Sequence, residues 1–270
     1  MRGNGSGRDY KIAAIDMDGT LLRSDGTVSE RTRESLQAIN AAGMTVLVVS
    51  ARPPRIIRDY CERLALEGLA LCCNGAIVYD PRRDVVVDSI DLDARLLAEE
   101  LRRRIPGVSL GWECGLRYGC DAGFLLEHHF EGGSSILDSR VPGVSKVLVH
   151  HPQLPQGELR QLTESVVGLA GMVTISGHDV VEVMAPGVTK ATAVARLAES
   201  LGYDLSAVVA FGDMPNDMPL LEQAGLGIAV GNAHSEVRAI ADEVTASNDK
   251  DGVAVVLERL ADEARRWQPA

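Results

Sequence analysis

The sequence predicts a doubly wound, Rossmann-like α/β core on a parallel sheet, interrupted by an inserted α+β segment. Three observations point to it. Short continuous apolar runs alternate with helix-length amphipathic segments at both ends of the chain, the pattern of a sheet covered on both faces. From about Asp88 to Ala185 that rhythm gives way to helical stretches mixed with short strands. The acidic stretches beginning at Asp16 and Gly212 each follow an apolar run, so they fall at the carboxyl ends of buried strands, where open α/β sheets bind ligands.

Lys11 to Ile15 forms the first apolar run and stops at Asp-Met-Asp-Gly-Thr. Ser29 then suits an N-cap for a helix reaching Ala41, with Gly43 as its stop signal. The β-branched run Thr45 to Val49 reads as the second strand and ends at Ser50-Ala51-Arg52-Pro53, where Pro53 suits the first turn of another helix. Ala70 to Cys73 supplies a third strand, after which Asn74-Gly75 and Pro81-Arg82-Arg83 punctuate a hairpin through Val85 to Val87. In the insert, helices are expected near 93–104 and 157–169 and strands near 108–112, 146–150 and 180–184, while Gly111 to Gly133 shows no resolvable period. Alternation resumes with a helix near 189–201, a strand at 207–211, a helix after Asn216, a strand at 227–230 and helices near Ser235 and over 252–267.

A chain of 270 residues suits two domains, a discontinuous core of residues 1–85 and 186–270 and an inserted domain of residues 86–185. Mean hydropathy is near zero and no apolar run approaches the length of a membrane span, so no membrane partner is expected. The polar, Gly-rich start reads as a tail over residues 1–9 and lacks the apolar stretch of a secretory signal, which makes the cytoplasm the default compartment. A formal charge of −11 opposes nucleic-acid binding, which requires clustered Lys and Arg, yet leaves room for a small anion held by one lysine and a cation. Five cysteines, an odd number without a CxxC pair, oppose a disulfide framework, and Cys72 and Cys73, which end an apolar run, read as buried inert thiols.

Polar residues just beyond the predicted strands are Asp16, Asp18, Ser50, Asp213, Asn216 and Asp217, with Lys190 opening a late helix. Taken singly, each has an ordinary use as a cap, loop or surface residue. Gathered at one sheet edge, several carboxylates repel one another unless a cation sits among them, and an all-oxygen set suits magnesium.

These residues, in order, resemble the signature of the haloacid dehalogenase-like superfamily: DxDGT at Asp16, a Ser after the second strand, a late Lys and a GDxxND loop. NGA from Asn74, GVTK from Gly187, GDMPNDMPLL from Gly212 and GIAVGNA from Gly227, spaced around a large insert, are similar to the Cof-type sugar-phosphatase branch with a C2B cap. The resemblance implies a magnesium-dependent phosphatase acting on a small phosphomonoester through an aspartyl-phosphate intermediate. It makes Asp16 the nucleophile, ionised at neutral pH, and Asp18 the general acid and base with a raised pKa. It places magnesium on Asp16, the Asp18 carbonyl, Asp213 and Asp217, directly or through water. Ser50, Ala51, Lys190 and Asn216 would hold the phosphoryl oxygens. Ala51 stands where relatives often carry Gly; it keeps the backbone N–H but loses access to positive φ, so a reduced rate at most is expected.

Candidates in the insert are Trp112, Glu113, Arg117, His128, His129 and Glu182, against the simpler expectation that Trp112 packs internally and the histidines lie on the surface. Three rival readings share parts of the pattern. A phosphorelay receiver is opposed by the position of DxDGT and by chain length. A phosphomutase shares the covalent chemistry and differs in the fate of the phosphoryl group. A non-catalytic phospholigand-binding module would have no need of nucleophile, acid and lysine together.

Overall fold

The computed structural model describes residues 9–66, 68–127, 142–176 and 179–267. In chain order, β1 (Ile12–Ile15) leads through an irregular loop to α1 (Glu30–Ala41), and β2 (Thr45–Val49) is followed by α2 (Pro54–Leu64). Then come β3 (Ala70–Cys72), β4 (Ile77–Asp80), β5 (Val85–Ser89), α3 (Ala94–Arg104), β6 (Ser109–Cys114), β7 (Arg117–Cys120) and α4 (Ala122–Glu127). β8 (Lys146–His150), α5 (Gln156–Val167), β9 (Met172–Thr174) and β10 (Val181–Met184) complete the middle of the chain. The last part comprises α6 (Lys190–Ser200), β11 (Val208–Gly212), α7 (Met218–Gln223), β12 (Leu226–Ala229), α8 (Ser235–Ile240), β13 (Glu243–Val244) and α9 (Gly252–Trp267).

Local signals explain the boundaries. The Ser29 hydroxyl accepts the Thr32 amide at 3.0 Å and starts α1, and Gly43, at φ +90°, turns the chain away after it. Asp93 caps α3 through the Leu96 amide. At α2 the sequence expectation shifts by one: Pro53 is the N-cap and Pro54 the first helical residue, because a proline ring sits where no intrahelical N–H is needed.

The chain divides into two compact units: residues up to Ser50 together with those from Lys190 onward, and Ala51–Thr189. In the first, five strands lie in the order β13-β12-β11-β1-β2, every pair parallel. β1 and β11 are entirely buried, which explains why they read as unbroken apolar runs. From β1 the chain crosses to β2 in one direction, and from β11 to β12 and β13 in the other. Right-handed crossovers therefore put α1 and α7 on opposite faces, and α1 packs with α9 while α6 packs with α7. This is the doubly wound arrangement, and its direction reverses between β1 and β11.

The second unit contains an antiparallel run β3-β4-β5 and a separate antiparallel sheet in the order β7-β6-β8-β10-β9. Trp112 on β6 is 1% exposed and packs with Leu101, Leu110, Val147 and Val183 in the core under α3 and α5. The stretch without a sequence period contains the end of β6, a tight turn at Gly115 (φ +61°), β7 and α4. All five cysteines are free and buried; desolvation pushes Cys61 up to about 11 and Cys73 well above the ordinary thiol range, so neither is a nucleophile at neutral pH.

Candidate active site

The reversal between β1 and β11 sets the site. Ile15 pairs with Phe211, and the Asp16 amide donates to the Phe211 carbonyl at 3.1 Å, so the acids that follow each strand emerge side by side. On the other side Ile15 pairs with Val48, which brings fully buried Ser50 to the same edge.

After Asp16 the chain makes a loop closed by the Leu21 amide on the Asp16 carbonyl (3.2 Å) and the Leu22 amide on the Met17 carbonyl (2.8 Å). Half-buried Asp18 sits in it with extended backbone, followed by Gly19 at φ +74°. A Cβ at residue 19 would also collide with the Asp213 carboxylate, so glycine is required on two counts. The Thr20 hydroxyl, buried beneath, donates to Asp213 Oδ1 at 2.9 Å.

Lys190, the first residue of α6, is 2% exposed and extends its ammonium between two carboxylates, 2.6 Å from Asp16 Oδ1 and 2.6 Å from Asp217 Oδ1. The other Asp217 oxygen accepts the Asp213 and Met214 amides, each at 3.0 Å. Asp217 thus fastens its own turn, and Gly212 is needed beside it because a Cβ there would meet the Asp217 side chain. Asn216 precedes it on the same short 3-10 turn.

Among the described residues, Asp16, Asp213 and Asp217 are the acidic group whose ligand atoms lie within 4.8 Å of one another, and all three are buried. Three carboxylates against one lysine leave a formal charge of −2. Desolvation is the main reason the Asp16 carboxyl lies well above the ordinary range; Lys190 opposes it, while Asp217 and Asp213 add to it. Asp213 is raised to about 6, by burial first and Asp217 second. The expected ionised Asp16 rested on a metal together with Lys190, and Lys190 by itself does not outweigh the desolvation. The residues fit a hard divalent cation: it would cancel the surplus charge, and its preferred ligands are oxygens. Asp16 and Asp213 are the carboxylates best placed to hold it, since both Asp217 oxygens are already engaged.

In the second unit the Ala51 carbonyl accepts Lys146 Nζ at 2.8 Å. Glu182 is buried in a paired network: its carboxylate takes Lys146 at 2.6 Å and Asn74 Nδ2 at 2.7 Å, all buried. Glu113 is likewise buried against Arg55 in a two-pronged ion pair. Arg117 is exposed at the start of β7, and His128 and His129 lie outside the described residues. Sequence reasoning overlooked the contacts of Thr20, Asn232 and Asn248; Thr20 stands within the DxDGT motif and Asn232 within GIAVGNA, so the signal for those two was present.

Buried acids thus surround one lysine at the reversal point of a doubly wound α/β sheet, where such sheets place their ligand sites. A family model described as haloacid dehalogenase-like hydrolase matches residues 13–101 and 141–257. The chain belongs to that family, and is thereby a hydrolase. It is 30% identical over 254 residues to 5-amino-6-(5-phospho-D-ribitylamino)uracil phosphatase YcsE of Bacillus subtilis (strain 168), covering 91% of this chain and 94% of that one. It is 29% identical over 263 residues to pyridoxal phosphate phosphatase YbhA of Escherichia coli (strain K12), covering 90% and 96%. Its fold is that of a subclass IIB sugar phosphatase of the superfamily, with a TM-score of 0.80 at 21% identity over 93% of this chain and 98% of the other.

Proposed function

We propose that the protein is a magnesium-dependent phosphatase that hydrolyses a small phosphomonoester, a sugar phosphate or related metabolite, through an aspartyl-phosphate on Asp16. The observation that carries this reading is the buried set Asp16, Asp213, Asp217 and Lys190 at the reversal between β1 and β11. The names of the two relatives support it, since each describes a phosphatase of a small phosphorylated metabolite. Residues 86–185 would form the family's cap, and the cytoplasm is the compartment we assign; no described helix is long and apolar enough to cross a membrane.

In the first half-reaction an Asp16 oxygen attacks phosphorus, the bond from phosphorus to the leaving oxygen breaks, and Asp18 gives its proton to that oxygen. In the second, Asp18 takes a proton from water as the water oxygen attacks phosphorus, and the bond to Asp16 breaks to release phosphate. Lys190, in contact with Asp16, orients the nucleophile and offsets charge on the phosphoryl oxygens together with the Ser50 hydroxyl, the Ala51 N–H and the Asn216 amide. Bound at Asp16 and Asp213, with the Asp18 carbonyl and with Asp217 behind, magnesium would offset phosphoryl charge and keep these carboxyls ionised.

Phosphate release from p-nitrophenyl phosphate and a panel of sugar phosphates, with magnesium and after chelation, tests the reading. Turnover with magnesium and its loss on chelation are expected; equal turnover in both conditions would remove the metal from the account. The metal-free protein carries a second expectation. Asp213 binds its proton more tightly folded (about 6) than at the ordinary value of 3.8, so the folded state holds more protons across that window. Asp16 acts in the same direction. The contribution of these groups to stability falls as pH rises through the window and their cost is fully present above it. The thermal midpoint rise caused by magnesium should therefore be larger at about pH 7.5 than at about pH 5.5, because metal and protons compete for the same oxygens. A larger rise at the lower pH would contradict the assignment of ligands.

A further inference from the structure

The GIAVGNA segment has no part in the chemistry described above, yet it touches the loop that carries Asp18. Asn232 Nδ2 donates to the Gly19 carbonyl at 2.7 Å, and its Oδ1 accepts the Asn248 amide at 2.9 Å. Asn248 Nδ2 in turn donates to the Leu22 carbonyl at 2.9 Å. Two asparagine side chains thus form one hydrogen-bonded strap, from the residue immediately after Asp18 to the end of the loop. The turn bearing Asn232 is itself tied to the other acidic loop, by the His234 amide on the Asp213 carbonyl at 2.8 Å.

We infer that Asn232, backed by Asn248, is a positioning residue that holds the Asp18–Gly19 segment in the one conformation that aims the Asp18 carboxyl at the leaving oxygen. This rests on the reading of Asp18 as the general acid. The physical reason is the freedom of Gly19. A glycine adopts positive φ without penalty but adopts other backbone regions as readily, so something outside the loop must select this one. The loop's internal bonds join Asp16 to Leu21 and Met17 to Leu22 and leave the orientation of the Gly19 peptide to its own partner, which is Asn232. Asn232 is exposed and packs into no core, so replacing it should cost the fold little. A carboxyl displaced by a fraction of an ångström loses much of its catalytic value even where the protein is intact.

The test compares phenyl phosphate with p-nitrophenyl phosphate, which have closely similar shapes and differ in how much the leaving oxygen needs a proton. kcat/KM is measured with magnesium for the wild type, Asp18→Asn, Asn232→Asp and Asn232→Ala; the parameter reports the steps up to departure of the phenol. Asn232→Asp keeps the acceptor for the Asn248 amide and loses the donor to Gly19. Both Asn232 variants should lose about tenfold or more on phenyl phosphate and less than about threefold on p-nitrophenyl phosphate, following the bias of Asp18→Asn, with unfolding midpoints near wild type. Equal losses on both substrates, or none, alongside a biased Asp18→Asn would overturn the positioning role alone. An unbiased Asp18→Asn would overturn the general-acid reading and the inference with it.

Discussion

Asp16→Asn abolishes phosphate release, lowering kcat by about four orders of magnitude or more, while the protein stays folded. The amide is a poor nucleophile toward phosphorus and a weaker ligand for a hard cation, so both the covalent step and the cation site are lost. Lys190 keeps its contact with Asp217, and the formal surplus of negative charge in the cluster falls from −2 to −1. The burial that pushes the Asp16 carboxyl upward marks it as a group the fold holds at a cost, so the metal-free variant should unfold at or above the wild-type temperature. Steady-state phosphate release and a thermal melt in chelator check both halves. A variant retaining more than about a tenth of wild-type kcat would remove Asp16 from the nucleophile's role.

Lys190→Met should damage stability as well as rate. The ammonium is almost fully buried and bridges two carboxylates at 2.6 Å each; without it three buried acids face one another. Removing one partner from a buried ion pair typically costs about 3–5 kcal/mol, because the charges left behind are desolvated and uncompensated. Burial disfavours the charged form of Lys190, but Asp16 and Asp217 more than offset it and the ammonium is held above its ordinary pKa, so it is charged throughout the working range. The destabilisation should therefore be full at about pH 7.5. It should shrink toward about pH 5 as Asp213, raised to about 6, takes up a proton. Urea unfolding at the two pH values, in chelator, measures it, and turnover should fall by about a hundredfold or more. Unchanged stability at neutral pH would mean that the bridge contributes nothing to the fold.

Much of this was legible in the sequence because the parallel sheet is buried on both faces. Thr45–Val49 ends where its apolar character ends; in the antiparallel sheet of the second unit Lys146–His150 is likewise buried along its whole length, and α9 spans its amphipathic stretch from Gly252 to Trp267. Asp16 and Asp213 could be placed together because both follow runs too apolar to be anything but central strands. β9 and β13 gave no such signal: the first is only half-buried and the second has two residues, so neither carries a burial pattern. The β6–β7 hairpin was hidden because β6 is buried throughout and does not alternate. The pairing of Glu182 was hidden for a different reason, since its partners Lys146 and Asn74 lie 36 and 108 residues away and a charged residue on a strand gives no sign of being paired. The strap through Asn232 and Asn248 was out of reach in the same way: it acts on backbone carbonyls 213 and 226 residues distant, and no periodicity reports such a contact. The upward shift of Asp16 depends on desolvation, which only the packed structure reveals.

The most direct test of the central claim is to trap the covalent intermediate. Enzyme turning over p-nitrophenyl phosphate with magnesium is quenched and reduced with borohydride, which converts an aspartyl-phosphate to homoserine, and the peptide spanning Ile12 to Arg23 is sequenced by mass spectrometry. Homoserine at residue 16, absent without substrate, is the result the account predicts; an unmodified Asp16 with homoserine at another aspartate would contradict it.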